Sequence, residues 1–310
     1  MKRQLLCIVA IALVAAGCEK TLDINDDGNH QLVLNAIPSA DSMAFVYFAQ
    51  TRFFLDSSNN HPVNGATLTL TVNGTPYTPS SANQCIYRFP YQLQEGDELE
   101  FDASVGDRSV HAATYVPRFP DVQDVQSSYF ASPSFNFAKV DFRLDDHASL
   151  DEYYNIVVTE RDSGARYNQW TASIDTVDTV RTAYFLLPYN PEITSSEVNA
   201  YRPLAGYLYS RAMFTDKLID GRQTPIQLFI IQTVDTNEIA PFKHEYFIDI
   251  ESITPARWNY IVSAAQQGGG FDFFAEPGEV WGNIDGALGI FAGASRRHFA
   301  FDPDTLQPSH

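Results

Sequence analysis

The chain is poor in cysteine, with only Cys7, Cys18 and Cys85 among 310 residues. It is short of positive charge, with 20 Lys and Arg against 38 Asp and Glu. Past residue 17 it has no long apolar run. Each shortage excludes something. A formal charge of -18 argues against nucleic acid, whose phosphates are bound by Lys and Arg. It argues equally against electrostatic adsorption to anionic lipid. The missing apolar run excludes a second helical membrane span, which takes about 20 residues. Cys7 lies in an N-terminal apolar segment and Cys18 at its end, so Cys85 has no partner for an internal disulfide. The folded body therefore rests on its core alone. No basic side chain neighbours Cys85 in Gln84-Cys85-Ile86-Tyr87, so the thiol reads as a small buried hydrophobe.

What is present starts at the N-terminus. Met1-Lys2-Arg3 is a short basic start, residues 5–16 are apolar, and Ala15-Ala16-Gly17-Cys18 puts small residues ahead of a cysteine. That is the pattern of a secretory signal ending in a lipoprotein cleavage site. Residues 1–17 are then a signal peptide, and the mature chain begins at Cys18 with lipid on its sulfur and amino group. Cleavage removes Lys2 and Arg3 and takes the charge from -18 to -20. Residues 18–30 form an acidic tether carrying Glu19, Asp23, Asp26 and Asp27. Asp23-Ile24-Asn25-Asp26-Asp27-Gly28 matches the opening of a calcium loop, but the position of the bidentate Glu is Leu34. A flexible, solvated tether is the better reading.

Residues 31–117 read as one β domain. Residues 31–36 and 42–54 are apolar strand candidates. Leu68, Leu70 and Val72 alternate with Thr67, Thr69 and Thr71, and Asn73-Gly74 supplies the positive φ angles of a hairpin turn. Leu99, Phe101, Ala103 and Val105 alternate with acidic residues in the same way. Short strands at regular spacing predict an immunoglobulin-like β-sandwich. Residues 118–133, bounded by Pro117, Pro120 and Pro133, read as a connector. Residues 118–306 form a second, β-rich domain with one amphipathic helix near its C-terminal end. Thr254 can cap that helix, Pro255 suits its first turn, and Trp258, Ile261, Val262 and Ala265 share one face. Gly268-Gly269-Gly270 stops it. The glycine-spaced segment 282–293 reads first as tight backbone packing.

No catalytic constellation emerges. The seven histidines form no pair at metal-ligand spacing, and the chain has no G-x-S-x-G elbow, P-loop or zinc ribbon. The cluster Asp145, Asp146, His147, Asp151, Glu152 could hold a divalent cation, though such acid-rich bends are mostly solvated turns. Aromatics are the more informative excess, at 13% of residues. Tyr184, Tyr189, Tyr201, Tyr207 and Tyr209 lie on or beside a long polar loop. Tyrosine in such a place suits a partner or ligand contact, because it buries much area at little entropic cost.

Several short runs carry a resemblance. Pro62-Val63-Asn64-Gly65-Ala66, Glu95-Gly96-Asp97-Glu98-Leu99 and Ala113-Thr114-Tyr115-Val116-Pro117 come first. Tyr153-Tyr154, Phe214-Thr215-Asp216 and Tyr260 follow. The closing run 274–291 ends the series, with Gly282-Asn283-Ile284 and Gly289-Ile290-Phe291 its most specific parts. In this order they resemble a family of Bacteroidota outer-membrane lipoproteins known only as domain of unknown function forty-two forty-nine. The resemblance implies an immunoglobulin-like or transthyretin-like sandwich, then a β-rich domain. It implies an outer-membrane address, and the acidic residues after Cys18 resemble a surface-export signal. It also implies a TonB-dependent-transporter-like barrel of the starch-utilisation type as partner, alongside other surface lipoproteins.

The expectation is a surface-exposed, lipid-anchored accessory subunit without enzymatic activity, metal or cofactor beyond the lipid on Cys18. It would serve nutrient uptake or outer-membrane protein assembly. The alternatives are a stand-alone glycan- or peptide-binding lipoprotein, and a hydrolase whose triad is assembled from distant residues.

Overall fold

The computed structural model describes residues 30–52, 61–131, 136–148, 150–188, 208–231, 237–268 and 280–303. Over these residues the chain is mainly β, in several sheets, with one α-helix near the C-terminal end. Its first part holds β1 (Leu32–Ala36), β2 (Met43–Gln50), β3 (Thr67–Val72), β4 (Thr75–Tyr77), β5 (Ser81–Asn83), β6 (Ile86–Gln92), β7 (Glu98–Val105) and β8 (Arg108–Tyr115). Then come β9 (Asp121–Ala131), β10 (Asn136–Asp145), β11 (Tyr153–Asn168), β12 (Ser173–Thr182), β13 (Phe185–Leu186), β14 (Leu208–Tyr209), β15 (Arg211–Thr215), β16 (Gln223–Ile231) and β17 (Glu238–Ile253). Helix α1 (Pro255–Gly268), β18 (Leu288–Phe291) and β19 (Ala294–Phe301) follow.

The strands pair into four sheets. The first has the order β18-β1-β2-β6-β5 and the second β4-β3-β7-β8. Their inward residues, among them Leu34, Phe48, Leu70, Phe89 and Phe101, share one apolar core. The alternation of β7 causes this directly: Leu99, Phe101 and Ala103 are buried, while Glu98, Glu100 and Asp102 face water. Asn73 (φ 49°) and Gly74 (φ 78°) make the left-handed hairpin turn their sequence demands. Cys85 is fully buried.

The third sheet runs β14-β13-β16-β10-β9 and the fourth β12-β11-β17-β19, with β15 also paired to β11. Val140, Phe142, Ile156, Val158, Leu228 and Ile248 contribute to the core these two sheets share. Two local expectations need correction. Much of the stretch read as a connector is the strand β9, paired to β10 from Asp121 to Ala131. Its polar sequence, Asp121-Val122-Gln123-Asp124-Val125-Gln126-Ser127-Ser128, belongs to an edge strand with little to bury. Residues 42–54, apolar on both parities, read as a central strand covered on both faces, but Met43 and Phe45 of β2 are 50% and 45% exposed.

The closing segment holds the two halves together. β18 lies parallel to β1, and β19 then joins β17. Phe291 enters the first core, its ring 6.3 Å from Phe101. Small residues are required along this path. A Cβ on Gly289 (φ 111°) would meet the Leu34 carbonyl oxygen at 2.1 Å. One on Gly293 would meet the Tyr115 oxygen at 2.0 Å. The segment thus packs backbone on backbone. Asn283 fixes it further, donating to the Phe291 carbonyl and accepting from the Phe291 amide. Helix α1 starts where its cap predicts: the Thr254 hydroxyl accepts from the Arg257 amide. Ile261 is buried with Met213, Ile253 and Ala294, and Trp258 packs edge-on to Tyr153 at 5.5 Å.

Candidate functional site

The joint between the halves is open on one side. Hydrogen bonds tie it together from the Ala294 amide to the Pro38 carbonyl, from Thr254 to Gly293, and from Gly293 to the Thr114 hydroxyl. Beside them lies a cleft of about 760 Å³. Residues of β2 and the turn before it form one wall, including Ile37, Asp41 and Phe45. Glu251 of β17, Arg257 of α1, and Arg296, Arg297 and His298 of β19 form the other. A neighbouring cavity of about 560 Å³ shares Phe119 and Arg297 and adds Glu95, Arg118, Asp121 and His147. Concave walls with a few convergent polar groups are the usual form of a ligand site.

The chemistry of the cleft is mixed in sign. Arg297 stacks on Phe119, 4.4 Å from the ring centroid, and Arg88 lies over Phe45 at 6.0 Å. Asp249 pairs with His298 at 2.7 Å and with Arg296 at 3.5 Å. Glu95 is held by the Phe119 amide at 2.7 Å. Sequence reading missed this site because its walls come from segments far apart in the chain. One signal was available: Ser295-Arg296-Arg297-His298 is a dense basic run in a strongly acidic chain.

Two buried acid clusters flank the core of the second half. Midway along β11, Glu160 and Asp162 are 3% and 1% exposed. Arg181 of β12 bridges them at 3.0 and 3.2 Å, and the Tyr246 hydroxyl donates to Glu160 at 3.0 Å. His244 contacts Asp162 through Nδ1 at 2.8 Å and Glu238 through Nε2 at 3.2 Å. Both ring nitrogens face carboxylates, which suits an imidazolium. Burial alone would lower the His244 pKa, but the hydrogen bonds to Asp162 and Glu238 raise it above the ordinary value. Glu160, Asp162 and His244 could offer three metal-ligand atoms within 4.8 Å of one another. The guanidinium of Arg181 already bridges that carboxylate pair.

Just before β11 lies the bend that the sequence singled out. Asp146 accepts from the Gly221 amide at 2.9 Å and from the Tyr154 hydroxyl at 2.8 Å. Tyr154 also reaches Glu152, and the Glu152 amide donates to Asp216. His147 contacts Glu152 at 3.3 Å, and no Lys or Arg ion pair is formed by Asp146, Glu152 or Asp216 among the described residues. Burial, with repulsion from Glu152 and Asp216, pushes the Asp146 pKa up to about 6.

The remaining sequence candidates are spread out. Tyr184 is 48% exposed, and Tyr209 stacks on Phe185 at 6.2 Å. Tyr189, Tyr201 and Tyr207 lie outside the described residues, as do Cys18, Glu19, Asp23, Asp26 and Asp27. No helix among the described residues is long and apolar enough to cross a membrane.

These features define a mainly β protein of several sheets, clasped by its own C-terminal strands and carrying a polar cleft at the joint. The chain belongs to the family described as Domain of unknown function (DUF4249), which it matches over residues 19–299. No curated protein matches it. Among solved structures, the chain is similar to that of the manganese lipoxygenase of Gaeumannomyces graminis with part of the zonadhesin of Komagataella pastoris. The likeness has a TM-score of 0.20 and 9% identity, covering 76% of this chain and 91% of that one. At that score it carries no argument.

Proposed function

We propose that this protein is a lipid-anchored outer-membrane lipoprotein of a Bacteroidota cell surface, working by binding rather than by turnover. The observation that carries the reading is a coincidence of position. The family match begins at residue 19, one residue past the cysteine of Ala15-Ala16-Gly17-Cys18. The segment before it then has the role of a signal, and Cys18 that of an anchor. In this reading residues 31–117 are an immunoglobulin-like or transthyretin-like sandwich, 118–306 are the second domain, and 18–30 tether both to the membrane. Tethering confines the body near the bilayer and raises its effective concentration at a neighbouring TonB-dependent-transporter-like barrel.

The test is a gentle-detergent pull-down of the tagged full-length lipoprotein from native outer membranes, read by mass spectrometry. A stoichiometric barrel partner is the expected result. Surface exposure to added protease with no partner would sink the accessory role. The joint cleft favours a second reading, a stand-alone binder of glycan or peptide, because it offers stacking faces and polar groups of both signs.

A further inference from the structure

In a chain with nearly two acids for each base, arginines find carboxylates. Arg143 pairs with Asp124, Arg161 with Asp178, Arg181 with Glu160 and Asp162, and Arg296 with Asp249. Arg108 bonds the His30 carbonyl. Among the described residues, the side chains of Arg88, Arg118 and Arg297 make no ion pair and no hydrogen bond. Two of these, Arg118 and Arg297, sit at the joint. Arg118 and Arg297 line the 560 Å³ cavity together, one on each half of the chain. Arg88 covers Phe45 on the wall of the larger cleft.

We propose that the joint cleft is a binding site for a carboxylate-bearing ligand, with Arg118 and Arg297 as its anchor. The inference rests on the binding reading of the cleft and names what it would recognise. Stacking on Phe119 fixes the Arg297 plane and leaves its N–H edge free to donate. A planar fork of this kind meets a carboxylate through two parallel hydrogen bonds. The rest of the wall sets the charge of the ligand. Asp41, Asp121 and Glu251 line the same two cavities, and they repel a doubly charged phosphate while accepting from hydroxyl or amide donors. The fitting ligand has one carboxylate beside several neutral donors. Sugar acids and acidic or C-terminal peptide ends both have this chemistry.

The test is calorimetric titration of the full-length lipoprotein in neutral detergent with matched pairs. Galacturonate is set against galactose, and N-acetyl-diglycine against its amide. The expected result is binding of the charged member of at least one pair, weakened by added salt, with the neutral member silent. The pair that responds tells sugar from peptide. Arg118→Gln and Arg297→Gln each cost about tenfold or more in affinity, as loss of a charge-assisted bond does. Both side chains are exposed, and circular dichroism with an unchanged melting temperature shows that the variants fold. Equal binding of charged and neutral members, unaltered by the arginine changes, overturns the carboxylate and leaves a cleft of other specificity. Absence of arginine-dependent binding across both pairs also overturns it. Neither result touches the barrel partner, which the pull-down reads separately.

Discussion

The middle of β11 and the bend before it bury acids in opposite ways. In the middle, the carboxylates of Glu160, Asp162 and Glu238 meet the guanidiniums of Arg181 and Arg166 and the imidazole of His244, so charge is cancelled by charge. At the bend no guanidinium reaches Asp146 among the described residues, and burial instead raises its pKa to about 6, so it loses its proton late. Both clusters keep a tyrosine hydroxyl as donor, Tyr246 in one and Tyr154 in the other. Burial and the nearby carboxylates hold both phenols far above their ordinary pKa, so they stay donors. A core can therefore hold acids either by importing a countercharge or by postponing their ionisation. The first is fragile to loss of one residue, the second to a rise in pH.

Removing the countercharge is the strongest way to break the contrast. Arg181→Ala takes the guanidinium from Glu160 and Asp162 and leaves them His244 and Tyr246 as partners, and breaking such a buried pair costs about 3 kcal/mol. Urea unfolding of the full chain at pH 7 reads this as a large drop in midpoint with an unchanged slope. His244→Gln is next, at about 2 kcal/mol, since it removes the imidazolium that bonds both Asp162 and Glu238. Tyr154→Phe takes a donor from Asp146 and Glu152 and costs about 1 kcal/mol.

Asp146→Asn is the smallest at pH 7 and has the opposite sign. An amide accepts from Gly221, donates to Tyr154 and never ionises, so stability rises by about 1 kcal/mol. The pH profiles sharpen the same point. The folded Asp146 pKa is raised from 3.8 to about 6, so its contribution is complete below 3.8 and is lost as pH climbs through 6. The folded His244 pKa is also raised, from 6.5, so its contribution is complete below 6.5 and is lost above that value. Midpoints measured from pH 4 to 9 should fall in two windows. Asp146→Asn flattens the lower one alone, and His244→Gln the upper one.

Much of the framework was legible where one face meets water. β7 and its Leu99, Phe101, Ala103 pattern stand in the sequence as they stand in the sheet. So does α1, because Thr254 and Pro255 mark its start locally. The edge strand β9 was not legible, since an edge with little to bury has no apolar period to read. Glu160 and Asp162 were missed for a sharper reason. They continue the inward series Tyr154, Ile156, Val158 on β11, and a polar residue there signals the end of a core unless its countercharge is known. Arg181 supplies it from another strand. The Asp145–Glu152 bend was visible as a cluster, but Asp216 and Gly221, which complete it, are some 70 residues on. The cleft was hidden for the same cause, as β18 and β19, from the far end of the chain, bring its walls together.

That closing pair of strands also sets an order of events. β1 has β2 on one side and β18 on the other, and Asn35 accepts from Ile290 across 255 residues. Until the end of the chain has been made, β1 remains a bare edge and the first core lacks Phe291. The half that emerges first from the ribosome is thus the half that must wait. A chain broken off before Leu288 cannot finish either unit, so the fold audits its own length.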